Sequence, residues 1–445
     1  MTAAMTNAAD TVFALSSGPP PAGVAVVRLS GPAVRFGLET LIDSIPEPRR
    51  AMLRSIKGRD GSIIDRGLVL FFPGPASFTG EDAAELHLHG GRAVVAAVLA
   101  ALGVLPGFRP AEPGEFTRRA FVNERLDLTQ VEGLADLVFA ETEAQRRQAL
   151  RQADGGLGRL YDGWREGLIR ARALIEAELD FPDEDDVPGS VSVHVWDDVA
   201  ALEKVMVNHL SDRRGERLRD GAEIVVLGPP NAGKSSLVNA IARRDVAIVT
   251  PEPGTTRDLI EVRLDLGGYP VTLVDTAGLR EAEGVVEREG IRRAEARAAG
   301  ADLVLWLVDA TRPAAPTPLP GGVTVATKID LVDSDVERSR LAGRFDPLVP
   351  STTGAGIDVL LDDLTGRIAA DLAPAESPLV TRQRHRTALA SCLEAIRAAL
   401  SDDSRPLELR AEDLRRAGDA LGRITGRIDV EDLLDVIFRD FCIGK

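Results

Sequence analysis

Eight residues, Gly228-Pro-Pro-Asn-Ala-Gly-Lys-Ser235, constrain this chain more than any other segment. They follow the largely apolar run Glu223–Leu227 and open the helix-forming stretch Lys234–Ala242. The spacing G-x-x-x-x-G-K-S thus stands in the strand–loop–helix setting that a phosphate-binding loop requires. Gly228 and Gly233 let backbone N–H groups turn inward with no Cβ in the way. Lys234 brings positive charge to the β- and γ-phosphates, Ser235 offers a hydroxyl to Mg²⁺, and the helix N-terminus adds partial positive charge. Asn231, Ala232, Gly233, Lys234, Ser235 and Ser236 are therefore candidate nucleotide contacts.

Around this loop, strand-like and helix-like runs alternate from Ala222 to about Ile368, with strands at Val271–Asp275, Asp302–Asp309 and Val323–Thr327. Such alternation predicts a parallel sheet with helices on both faces, a P-loop α/β domain over 219–373. Asp275, Thr276, Ala277 and Gly278 end one strand, where an acid can hold Mg²⁺ through water and a glycine amide can sense the γ-phosphate. Gly254-Thr-Thr-Arg-Asp258 between them reads as a switch, with Thr255 and Thr256 as hydroxyl ligands. The base loop falls at Thr327-Lys328-Ile329-Asp330. Asp330 can accept hydrogen bonds from guanine N1–H and its 2-amino group together, and Lys328 can stack on the base. Asparagine is usual where Thr327 stands. Threonine keeps a hydroxyl but loses the amide, an exchange that predicts weaker base binding. Guanine remains the expected base, so GTP is the expected substrate.

The flanking sequence has other textures. Residues 1–125 hold short strand-like runs (Ala25–Leu29, Gly67–Phe72, Ala84–His89) and a helical stretch near Ala93–Leu102, an α+β pattern. Over 126–218 apolar residues recur at three- and four-residue steps, as in Leu128-Val131-Leu134-Ala135-Val138, which predicts long amphipathic helices interrupted by a loop at Pro182–Gly189. Helical texture returns over 374–445, at Thr387–Leu400, Ala411–Leu421 and Val430–Phe441. The economical reading is a multidomain α/β chain in which one discontinuous helical domain carries the P-loop domain as an insertion. A length of 445 residues agrees with several domains. The net charge of −16 gives no general affinity for a phosphate backbone, so a nucleic-acid substrate needs a local patch or a partner to hold it. Two cysteines make no disulfide framework, and neither a secretory signal nor a bilayer-long apolar run is evident. The expected location is the cytoplasm, with no membrane.

Leu279 occupies the place of the water-orienting glutamine of Ras-like switches and cannot perform that role, so another group must order the attacking water. Glu287 is a candidate, although on the residues alone a solvated glutamate at a helix start is the plainer reading. No arginine finger is evident. Asn231 can instead hold a monovalent cation beside the phosphates, and potassium there would stabilise developing charge.

Taken together, these segments resemble the MnmE (TrmE) family of tRNA wobble-uridine modification GTPases. The resemblance rests on Gly228–Ser235 with Asn231, Thr250–Asp258, Asp275–Arg280, Phe72–Glu81, Pro113–Phe121 and the terminal Phe441-Cys442-Ile443-Gly444-Lys445. It implies an N-terminal domain that binds 5-formyl-tetrahydrofolate or a related tetrahydrofolate and forms a homodimer. It also implies joint action with MnmG, an FAD- and NADH-dependent partner, in placing an aminomethyl or carboxymethylaminomethyl group on the wobble uridine of certain tRNAs. By the same resemblance Asn231, Thr250, Glu252 and Thr255 would surround K⁺, and Ser235 and Thr256 would hold Mg²⁺. Glu287 would be the catalytic glutamate, and Arg280 closes the same switch. Arg28, Glu85 and Arg125 would contact folate, with Lys445 reaching the same region; lysine is commoner at the position of Arg125. Cys442 lies fourth from the end, as in a prenylation box, but Gly444 and Lys445 fit that box poorly. A buried thiol is a second reading, and the resemblance gives a third, a reactive thiol at the modification site. His87 and His89 share a strand face without a third metal ligand and read as structural. The alternative function is a regulatory or ribosome-assembly GTPase acting by GTP-driven dimerisation.

Overall fold

The computed structural model describes residues 10–180, 191–248, 260–275, 296–312, 322–332, 348–349, 356–373 and 377–428, together with Leu434, Ile437, Phe438, Phe441 and Gly444. They divide into two compact units. The first comprises Met1–Ala135, Tyr161–Glu166 and Gly418–Lys445; the second comprises Asp136–Leu160 and Gly167–Ala417.

The first unit is built on a six-stranded sheet of β1 (Thr11–Leu15), β2 (Ala22–Ser30), β3 (Met52–Lys57), β4 (Ile63–Phe72), β5 (Ala83–Gly90) and β6 (Phe108–Pro110) in the order β3-β4-β5-β2-β1-β6. All pairs are antiparallel except β1 with β6. Alternation along the strands divides the faces. Phe13, Val27, Leu29, Val69, Phe71, Leu86 and Leu88 pack under α1 (Val34–Ile42) and α2 (Arg92–Gly103), each fully buried side chain contributing about 1.5–3 kcal/mol. The opposite face carries Arg28, Glu85 and His87. There Val12 and Ala14 meet Phe116 of α3 (Glu115–Val122). Leu128 and Val131 of α4 (Leu128–Phe139) form a further core with Leu434, Phe438 and Phe441.

In the second unit the sheet order is β12-β11-β10-β7-β9-β8, from β7 (Ala222–Leu227), β8 (Ile260–Leu266), β9 (Tyr269–Asp275), β10 (Leu303–Asp309), β11 (Val323–Thr327) and β12 (Leu348–Val349). Five strands are parallel, and β8 departs from the expected all-parallel sheet by pairing antiparallel with β9 along the edge. Its sequence explains this, because Ile260-Glu-Val-Arg-Leu-Asp-Leu266 alternates as a strand with one wet face. Ile224, Val226, Leu273, Leu305 and Val325 bury against α9 (Lys234–Ala242) and α10 (Ile357–Asp371). Val225, Leu227, Val274 and Val304 face the other way, toward Ala298 and Ala301.

The helices of this unit are α5 (Glu143–Ala153), α7 (Val191–Ser211), α8 (Arg214–Asp220) and α11 (Gln383–Leu400), whereas α6 (Gly156–Asp180) and α12 (Leu407–Thr425) contribute residues to both units. Segments on either side of the P-loop sheet in sequence meet directly. Thr381 Oγ1 donates to Gln152 Oε1 at 3.0 Å, Arg386 pairs with Glu216 at 2.8 Å, and Cys392 Sγ lies 3.9 Å from Met206 Sδ. No helix among the described residues is long and apolar enough to cross a membrane. The expected loop at Pro182–Gly189 lies outside the described residues, as does most of Val430–Phe441.

Candidate functional site

β7 stands between β9 and β10 at the centre of its sheet, and the phosphate loop leaves its C-terminal end. Gly228 lies so near β10 that an added Cβ would stand 2.6 Å from the Leu307 carbonyl oxygen, a distance no side chain tolerates. Asn231 (φ 62°) and Gly233 (φ 89°) are both left-handed, which curls the loop before α9 begins. Lys234 is buried, and its Nζ donates to the carbonyls of Gly228 and Pro229 at 3.0 Å each. The ammonium is thereby held inside the curve of the loop. Ser235 is half-buried on the first turn of α9, and Ser236 and Asn231 are exposed. Asp275, fully buried, ends β9 opposite Val226 of β7.

The base loop is tied to this frame. Thr327 ends β11 with its side chain buried, and its hydroxyl donates to the Ala232 carbonyl at 2.6 Å, with the Val308 carbonyl at 3.2 Å. The threonine hydroxyl therefore ties the phosphate loop to the end of β11. Lys328 is left-handed (φ 61°) and its Nζ pairs with Asp309 at 2.7 Å. Burial would raise the Asp309 pKa, but hydrogen bonds from Lys328 and Thr311 outweigh it and hold the carboxyl below its ordinary range. Asp330 follows in a single 3₁₀ turn, Ile329–Leu331. Asn231, Ala232, Gly233, Lys234, Ser235, Ser236, Asp275, Thr327, Lys328 and Asp330 thus gather on the strand ends, loops and first helical turns at the C-terminal ends of β7, β9 and β11, the edge where open α/β sheets bind ligands. Thr250, Glu252, Thr255, Thr256, Thr276, Ala277, Gly278, Arg280 and Glu287 lie outside the described residues.

In the first unit, Arg28 and Glu85 are register partners on β2 and β5, paired at 2.9 Å. Burial pushes the Glu85 pKa up, but His87 and Arg28 outweigh it and keep the carboxylate below its usual range. The Arg28 guanidinium lies 5.9 Å from the Phe78 ring centroid and 5.8 Å from that of Phe116. Phe78 belongs to the loop between β4 and β5. Arg125 is exposed at the other side of that loop, its Cγ 3.4 Å from where a Cβ on Gly80 would stand. His87 and His89 are engaged by Glu85 and Asp65, and no metal-binding cluster occurs among the described residues.

A largely buried network, most of whose contacts join residues far apart in sequence, fixes the loop. Ser30 Oγ lies 2.6 Å from Thr79 Oγ1 and donates to Glu81 at 2.7 Å. Arg119 reaches both Glu81 and Glu115 at 3.0 Å, and Arg109 closes on Glu115 at 2.7 Å. Desolvation acts to raise Glu115, yet Arg109, the Glu112 amide and Arg119 hold its pKa below the usual value. Nearby, Ser16 Oγ donates to the Gly444 carbonyl at 2.8 Å. Gly444 is left-handed (φ 94°), and a Cβ there would stand 2.4 Å from the Leu15 carbonyl oxygen. Leu15 pairs with Val27, next to Arg28, so Gly444 lies beside the strand paired with the one that carries Arg28. Cys442 and Lys445 lie outside the described residues.

Comparison with known proteins decides the family. The model of the GTP-binding protein TrmE N-terminus matches residues 11–125, and that of the MnmE helical domain matches residues 128–442. The tRNA modification GTPase MnmE of Brucella canis is 55% identical over 440 residues, covering 98% of each chain. This chain belongs to the MnmE family. The MnmE of Rhizobium etli is 56% identical over 441 residues, 98% of this chain and 99% of its own. Among solved structures, the G domain of the T. maritima FeoB iron transporter is 25% identical with a TM-score of 0.24, covering 33% of this chain and 98% of that one. As a member of the MnmE family the chain is a GTPase, with a TrmE-type N-terminal domain, a helical domain and a P-loop GTPase fold.

Proposed function

We propose that this GTPase drives a folate-dependent modification at C5 of the tRNA wobble uridine, acting as a homodimer with an FAD-dependent partner of the MnmG type in the cytoplasm. The observation that carries the proposal is the co-occurrence in one chain of a phosphate loop and of the Arg28–Glu85 face with Gly444 seated beside it. A GTPase that only remodels a ribosomal particle has no use for the second feature. In the proposed division, 1–125 binds folate and dimerises, 126–218 and 374–445 form the helical domain, and 219–373 hydrolyses GTP.

The residues fit the groups they would hold. Ser235 presents a hydroxyl and Asp275 a buried carboxylate of the hard-oxygen kind that Mg²⁺ takes, and the exposed Asn231 offers an amide oxygen to K⁺. Thr256 would complete the Mg²⁺ set, and Thr250, Glu252 and Thr255 the K⁺ set. Bound there, the two cations supply positive charge where negative charge develops on the phosphates. Lys234 would exchange its two loop carbonyls for phosphate oxygens, Asp330 would select guanine, and Glu287 would order the attacking water with Arg280 in the same switch. Arg28, Glu85, Arg125 and Lys445 would hold a tetrahydrofolate one-carbon carrier, and the Cys442 thiol would assist the uridine chemistry.

Mass spectrometry of tRNA hydrolysates tests the reading. Cells lacking the chain should lose the aminomethyl-type wobble uridines. Wild-type protein should restore them, whereas Glu287→Ala, which keeps its nucleotide affinity, should not. An unchanged nucleoside profile in the deletion strain would refute tRNA modification.

A further inference from the structure

The end of a chain frays unless specific contacts hold it. In the first unit two glycines let the C-terminal arm, described at Phe438, Phe441 and Gly444, be held closely. Gly114 is left-handed (φ 69°) just before α3, and a Cβ there would stand 2.8 Å from the Phe438 carbonyl oxygen and 3.1 Å from the Phe441 Cβ. Gly444 is buried against Leu15 and Ser16 in the same manner. A side chain at either glycine would force the arm off its seat.

Ser16 supplies the polar part of that seat. Its Oγ donates to the Gly444 carbonyl across 428 positions of sequence. The backbone of Ser16 is itself fixed to β2, because its amide donates to the Val26 carbonyl at 2.8 Å and the Val26 amide donates to Ser17 Oγ at 3.1 Å. Val26 and Arg28 stand two apart on β2 and so share a face. One short path, from Gly444 through Ser16 and Val26 to Arg28, therefore sets the distance between the arm and the Arg28–Glu85 pair.

We infer that Ser16 is a positioning residue for the tRNA modification. By holding the Gly444 carbonyl it keeps the arm that carries Cys442 and Lys445 in register with the Arg28–Glu85 face, while GTP hydrolysis proceeds without it. The inference rests on the proposed function, in which that face and the arm act together. Ser16 acts through Gly444 and not by contact with a reactant.

Two readouts on the full-length chain test this role. Carboxypeptidase B removes a C-terminal lysine by attack on the preceding carbonyl, here the Gly444 carbonyl that Ser16 holds. Mass spectrometry of the intact protein should show Lys445 released about fivefold faster from Ser16→Ala than from wild type, because one hydrogen bond on the arm is gone. In cells lacking the native chain, Ser16→Ala should restore the modified wobble uridine to about half the wild-type level or less, with GTP turnover unchanged. Ser16→Thr, which keeps the hydroxyl, should return both readouts to wild-type values. Equal release from wild type and Ser16→Ala would overturn the seat, and faster release with full modification would overturn the positioning role. An unchanged nucleoside profile in the deletion strain would sink this inference together with the proposed function, a failure distinct from the other two.

Discussion

At the scale of single residues, Thr327 shows how one buried hydroxyl can join two loops. Its hydroxyl reaches the Ala232 carbonyl at 2.6 Å and joins the proposed base loop to the phosphate loop. The sequence comparison with asparagine counts the lost amide, whereas the buried position shows what the threonine hydroxyl does instead. Removing it in Thr327→Val leaves the Ala232 carbonyl without this donor, at a cost of about 1–1.5 kcal/mol. Affinity for GDP and GTP should fall together by about tenfold, read by titration of a fluorescent guanine nucleotide. Equal affinity in wild type and Thr327→Val would show that the bond does not organise the site.

Secondary-structure elements differ in how much of them the sequence displays. The helix Lys234–Ala242 and the strand Val323–Thr327 are legible to the residue, because a glycine-rich loop opens one and an apolar run bounded by glycine and charge defines the other. The edge strand β8 is legible only as alternation and is easily absorbed into the neighbouring switch. Of the network of Ser30, Thr79, Glu81, Glu115 and Arg119 only the i,i+4 spacing of Glu115 and Arg119 is a local pattern; Arg119 and Glu81 are separated by 38 positions and belong to different elements. Buried polar networks are specified by three-dimensional proximity, which no periodicity encodes. The contact of α7 with α11 also holds a titrating group. Burial lowers the pKa of His209 to about 4; Asp212 opposes this, while His385 and Arg386 reinforce it. The unfolded chain takes up that proton near pH 6.5, the folded chain only near 4. The associated stability is therefore fully present above about pH 6.5 and is lost as the pH falls toward 4. With a discount for the partial exposure of the ring, its size is about 2 kcal/mol. Denaturant melts across this window should show a shallower acid loss for His209→Gln than for wild type. Parallel curves would place the acid sensitivity elsewhere.

For the whole molecule, charge sets the terms on which it can meet nucleic acid. A net charge of −16 opposes a polyanion at long range, and only a local cationic surface or a bound partner can reverse that. The isolated chain should bind free tRNA no tighter than about 10 µM at 150 mM salt, in the range of non-specific association. Fluorescence anisotropy with labelled tRNA measures this directly, and submicromolar binding by the chain alone would show that it carries a cationic surface of its own for tRNA.

The two ends of the GTPase domain lie close together. Arg217 on α8 pairs with Asp371 at the end of α10, and Arg214 donates to the Ala373 carbonyl at 3.0 Å. The path from Gly221 to Leu372 therefore begins and ends at nearly one place on the helical framework. Closing such a gap needs only a short connection, and the entropy of loop closure grows slowly with what is inserted between its ends. In evolutionary terms, a nucleotide switch in this position could be acquired through a single recombination event within one loop of an ancestral helical protein.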